Sequence, residues 1–159
     1  MAQFTHLDRH GRPAMVDVTE KDPTLREAAA CGMVRMKPST VRAIGGRKIA
    51  KGDVLAVARI AGIMAAKKTG EIIPLCHPLE LTGIDIEFRT DTKRGEIAIE
   101  ARVRIVGRTG VEMEAMTAVG AAALTIYDMC KSVDREMVIS DIMLLEKSGG
   151  RSGTFRRRK

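Results

Sequence analysis

Residues 111–130, VEMEAMTAVGAAALTIYDMC, set the first limit on the fold. Thr109 stands where a helix would begin. Glu112 and Glu114 fall in its first turn, where the positive end of the helix dipole favours carboxylates. Beyond them Met, Val, Leu, Ile and many Ala occupy nearly every side. A helix that is apolar all round must be buried on several faces. One sheet covers only one side of it. The small residues Ala115, Ala118, Gly120, Ala121, Ala122 and Ala123 would admit another helix closely, and a second subunit is the expected occupant.

The other elements follow from periodicity and punctuation. AMVDVT (14–19) alternates like a strand, and DPTLREAAACG (22–32) carries helix punctuation from Asp-Pro to Gly32. MVRMK predicts a short strand and PSTVRAIGG a short helix. Val54, Val57, Ile60, Ala61 and Met64 recur at helical spacing, predicting a helix over about 53–68. LTGIDIEFRT and GEIAIEARVRIVG alternate as strands around the hairpin connection DTKRG, and MVISDIMLLEKSGG ends as a strand. The larger elements run strand, helix, strand, strand, helix, strand. That is an α+β, ferredoxin-like split βαβ order with an antiparallel sheet and long packed helices.

At 159 residues one domain is expected over 1–153, with a disordered basic tail at 154–159. No apolar run approaches a membrane span, and the start, MAQFTHLDRHGRP, is too polar for a signal peptide. Cys31, Cys76 and Cys130 show no C-x-x-C spacing, so a reduced, cytoplasmic protein is expected. The net charge of +7 points to an anionic partner, and much of it lies in RSGTFRRRK. With no Trp, one Tyr and three Phe, stacking platforms for nucleic acid are lacking. A small anion such as a nucleotide fits better than a polymer.

Five stretches could carry chemistry. TGEIIPLCHPLEL (69–81) is an apolar, strand-like run with Cys76 beside His77 and a stop at Pro78. Neighbours on a strand face opposite ways, so the pair is not expected to ligate a metal, and no base is at hand to activate the thiol. YDMCK sets Asp128 and Lys131 three apart on one helical face. A surface ion pair is the ordinary reading, but the neighbouring dozen residues are nearly charge-free. GVEME pairs Glu112 with Glu114 around Met113, beyond what one helix dipole needs. Lys51, before Gly52 and a helix start, can grip phosphate or stand solvated in a loop. SGGRSG (148–153) lacks the G-K-[ST] ending of a phosphate loop and reads as a basic flap.

Taken together, FTHLDRHGRPAMVDV, KGDVLAVARIAGIMAAKKTGEIIPLCHPLELT, GRTGVEMEAMTAV and AALTIYDMCKSVDREMVISDIMLLEKSGGRSG resemble the molybdenum cofactor biosynthesis protein C family over residues 4–153. Gly120, Ser132 and Arg151 depart from its more usual Ser, Ala and Lys. The resemblance implies a ferredoxin-like fold assembled as a homohexamer, a trimer of dimers with sites between subunits. It implies an enzyme of the phosphorus–oxygen lyase type, acting on a cyclised dihydroguanosine triphosphate (3′,8-cyclo-7,8-dihydro-GTP). The products would be cyclic pyranopterin monophosphate and pyrophosphate. Substrate contacts would fall on Leu75, Cys76, His77, Glu112, Met113 and Glu114, and catalytic positions on Asp128, Lys51 and Lys131. No tightly bound cofactor is implied, and Mg²⁺ would come only with the triphosphate. No nucleic acid or membrane partner is expected. The alternative is a non-catalytic nucleotide- or RNA-binding module of the same fold, which fold alone does not exclude.

Overall fold

The structure is a computed structural model and describes residues 7, 10–46, 49, 52–151 and 153–158. Its elements are β1 (Thr24–Arg35), α1 (Pro38–Gly45), α2 (Val54–Lys67), α3 (Thr69–Ile72), β2 (Gly83–Asp91), β3 (Glu96–Gly107), α4 (Glu112–Cys130), β4 (Val138–Ser148) and β5 (Phe155–Arg156). The five strands form one antiparallel sheet in the order β2-β3-β1-β4-β5. Leaving out β5, this is the split βαβ arrangement expected from the element order.

β3 shows why the sheet has one dry face. Ile97, Ile99, Ala101, Val103 and Ile105 point inward and are buried, while Glu100, Arg102 and Arg104 point outward. On the outer face Arg102 donates to Glu27 at 2.7 Å and to Glu146 at 2.6 Å, tying three strands together.

Two expectations for the N-terminal part are overturned. Residues 14–18 form no strand. The stretch expected to be helical from residue 22 is instead most of β1, a 12-residue central strand flanked by β3 and β4. Its alanine run favours helix locally, but tertiary pairing overrides that preference. The small residues have a packing reason. A Cβ at Gly32 would lie 2.6 Å from Val119 Cγ1, so α4 sits almost directly on the strand.

α4 begins one residue after Val111 rather than at Thr109, and no side chain caps it. The side of α4 away from the sheet was expected to need a second subunit. Much of it is covered by α2, which Asp53 caps by accepting from Ala56 N at 3.1 Å. A Cβ at Gly62 of α2 would lie 2.9 Å from Ala118 O and 3.5 Å from Ala122 Cβ, so the small residues serve a contact within the chain. Leu124 remains exposed.

The tail is a further correction. Phe155 and Arg156 pair with Lys147 and Glu146, and Arg157 N and Nε donate to Leu145 O and Leu144 O, each at 2.8 Å. Apolar burial was the wrong criterion for order here, because the edge of β4 offers backbone partners instead. Gly149 makes the reversal, with φ +93°, and a Cβ there would collide with Leu25 O.

Candidate active site

TGEIIPLCHPLEL is not a strand. Its first four residues form α3, Thr69 closes α2 by donating to Ala66 O at 3.0 Å, and Cys76 N turns back onto Ile73 O at 3.0 Å. The strand alternation expected from sequence therefore does not set Cys76 and His77 on opposite sides. Both line one cavity of about 460 Å³, with Leu75 beside them. The first turn of α4 supplies the facing wall, Glu112, Met113 and Glu114.

His77 is tied down by the N-terminal segment. Its Nε2 lies 2.8 Å from Val16 O, and a carbonyl can only accept. Nε2 is thus the protonated nitrogen, and in the neutral ring Nδ1 is the acceptor. The neighbouring Asp17 takes hydrogen bonds from Thr19 Oγ1 at 2.7 Å and Thr19 N at 2.9 Å, which hold its carboxyl below the usual range.

The two glutamates occupy different electrical environments. Glu112 forms an ion pair with Lys147 of β4 at 2.9 Å. Glu114 is only 3% exposed, and burial pushes its carboxyl up to about 7, with the Glu112 charge adding to the effect. Burial wins here over the helix dipole, which favours the charged form. The Cys76 thiol is likewise pushed up, first by burial and then by Glu114, so it is not poised as a nucleophile. A carboxyl near neutrality inside a cavity can take and return a proton at physiological pH.

Lys21 lines this cavity and also a second one of about 460 Å³, together with Arg26 and Arg151. Arg26 is steadied by its Nε donating to Gly107 O at 2.9 Å. Lys21 is thus common to a partly apolar chamber with two carboxyl groups and to a second one lined by three basic residues and Asp22. Among the described residues no group of three or more His, Cys, Asp or Glu side chains is placed to hold a metal ion, and no helix is long and apolar enough to cross a membrane.

Asp128 and Lys131 lie elsewhere. They pair with each other at 2.6 Å at the far end of α4, with side chains 58% and 54% exposed, and neither lines the cavity. Expected at a buried helix end, they instead face outward. Asp128 raises the Lys131 ammonium above its ordinary value through their hydrogen bond. Lys51 falls outside the described residues.

Residues 15–150 match the model of the MoaC family. The chain belongs to the MoaC family. Relatives named cyclic pyranopterin monophosphate synthase are similar over almost their whole length. The one from Pelotomaculum thermopropionicum is 61% identical, covering 99% of this chain and 93% of its own. That from Roseiflexus is 61% identical over 98% of each, and that from Clostridium acetobutylicum 58% over 97% and 96%. The reading as a non-catalytic binding module is set aside, because relatives this similar carry the name of a synthase.

For this MoaC-family chain, the structure brings together six of the nine side chains singled out from sequence and separates two. It adds Lys21, Lys147 and Arg26. A lysine or arginine in a loop or on a strand ordinarily reads as solvated, so none of the three stood out. The one usable signal was Lys147, a charge near the end of the apolar run IMLLEK.

Proposed function

We propose that this chain converts a cyclised dihydroguanosine triphosphate into cyclic pyranopterin monophosphate, releasing pyrophosphate, for molybdenum cofactor biosynthesis in the cytoplasm. The observation that carries the reading is the single cavity that Leu75, Cys76, His77, Glu112, Met113 and Glu114 line together with Lys21 and Lys147, with Arg26 in a second cavity that shares Lys21. The pterin-forming end of the substrate sits against Cys76 and Met113, and its triphosphate extends to the basic side.

Opening the purine-derived ring and closing the new one moves protons on and off nitrogen and oxygen. Glu114, titrating near 7, takes and returns such a proton, and His77 Nδ1 accepts another. Closing the cyclic phosphate needs a ribose hydroxyl to attack the α-phosphorus. The bond from that phosphorus to the bridging oxygen breaks, and pyrophosphate leaves. Asp128 takes the hydroxyl proton or orients Lys131, while Lys131 and Lys51 stabilise the leaving charge. No tightly bound cofactor enters this scheme, and any Mg²⁺ arrives with the triphosphate.

Glu114 and Asp128 are fourteen positions apart on α4, roughly 21 Å at about 1.5 Å per residue. One pterin cannot touch both. We therefore place each site where the α4 start of one chain meets the α4 end of another, within a trimer of dimers. The test is to incubate the pure protein with the cyclised nucleotide and quantify pyrophosphate and pterin product. Equimolar release that Asp128→Asn abolishes supports the assignment. Absence of both products from folded protein refutes it.

A further inference from the structure

Asp128 and Lys131 pair with each other, and both are carried by the C-terminal end of α4. Their position is set by how the end of α4 is held. That end lacks the usual device. Lys131 at the C-cap is still right-handed, with φ −58°, and Ser132 and Val133 follow in place of a glycine. Asp141 is the only non-glycine residue with positive φ among the described residues, so no left-handed cap closes the helix.

Asp134 does the work instead. Its N–H donates to Cys130 O at 3.0 Å, joining Val133 N, which reaches the same carbonyl at 2.9 Å. Its side chain is buried, only 1% exposed, and Oδ2 accepts from Lys37 N at 2.8 Å and from Thr40 Oγ1 at 3.1 Å. Oδ1 accepts from Glu136 N at 3.3 Å. Tyr127 fastens the same loop from the helix side, its hydroxyl donating to Arg135 O at 3.1 Å. One buried carboxylate therefore bolts the last turn of α4 to the β1–α1 corner, three residues beyond Lys131. A buried carboxylate is costly unless fully hydrogen-bonded, and a solvated loop would need none.

We propose that Asp134 is a positioning residue, clamping the α4 end against the start of α1 so that Asp128 and Lys131 are presented in one fixed geometry. This rests on the proposed roles of Asp128 and Lys131. Removing the carboxylate lets the helix end shift, and a displacement of about 1 Å at reacting groups costs about 10²-fold in rate. Ground-state binding, made mostly at the other end of α4, is little affected.

The experiment compares kcat and KM for product formation in Asp134→Ala, Asp134→Asn and Thr40→Val, alongside Asp128→Asn. Asp134→Ala should lose about 10–100-fold in kcat with KM within about twofold. Asp134→Asn keeps an oxygen that accepts from Lys37 N and Thr40 Oγ1, and should recover kcat to within about tenfold of wild type. If Asp134→Ala does not fold, Thr40→Val decides, with a kcat loss of about threefold supporting the clamp and an unchanged kcat overturning it. A folded Asp134→Ala with wild-type kcat, or one whose activity falls only with its folded fraction, also overturns it. Full turnover by Asp128→Asn would instead refute the functional assignment beneath it.

Discussion

Glu114→Gln should stabilise the folded chain at alkaline pH and lose most of that advantage in mild acid. The carboxyl titrates at about 7 in the fold against an ordinary 4.5, because it is buried. A raised carboxyl holds its proton in the folded state after the unfolded chain has released it. Between about 4.5 and 7 the folded state therefore binds more protons, and stability falls as pH rises through that window. Above it the penalty is complete. At about 1.36 kcal/mol per unit, it approaches about 3 kcal/mol. Glutamine fills the same volume without ionising and escapes it. Urea unfolding at fixed protein concentration, at pH 8 and pH 5, measures the effect. Glu114→Gln should exceed wild type by about 2–3 kcal/mol at pH 8 and by under about 1 kcal/mol at pH 5. A difference that does not change with pH would refute the reasoning, since it would mean that Glu114 is already ionised at pH 5 or is solvated.

Cys76→Ser should keep substantial turnover, because the thiol is pushed away from its reactive form; loss of product formation in folded protein would make it a participant. Lys51→Ala should keep fold and assembly yet lose most pyrophosphate release, and normal release would remove Lys51 from the mechanism. Deleting residues 154–159 should lower Tm by roughly 2–6 °C, as about 1–2 kcal/mol of edge-strand hydrogen bonding is lost. An unchanged melt would mean that β5 contributes nothing to stability.

What the sequence revealed followed from how strongly each pattern depends on its own residues. The β2–β3 hairpin was legible because strict alternation reports one buried face, and β3 alternates almost without exception. α2 was legible to within a residue at each end, since Asp53 caps it and Lys67 precedes the turn. β1 was not, because an alanine run says only that the site is narrow; whether helix or strand fills it depends on β3, β4 and Val119. Within the site, the short motifs CHP and GVEME located one cavity. Helical spacing placed Asp128 and Lys131 together, but it could not tell that their face is exposed. The contributions of Lys21 and Lys147 depend on the N-terminal segment and β4 folding over α4, a juxtaposition that no local pattern encodes.

The mechanism proposed above turns on a site made by two chains, the start of α4 from one and the end of α4 from another. Mixing subunits of inactive Glu114→Ala with inactive Asp128→Ala tests this directly, with exchange verified by mass labelling. Part of the pyrophosphate release should return, because some interfaces then pair an intact Glu114 end with an intact Asp128 end. No recovery after confirmed exchange would contradict it and place each site within a single chain.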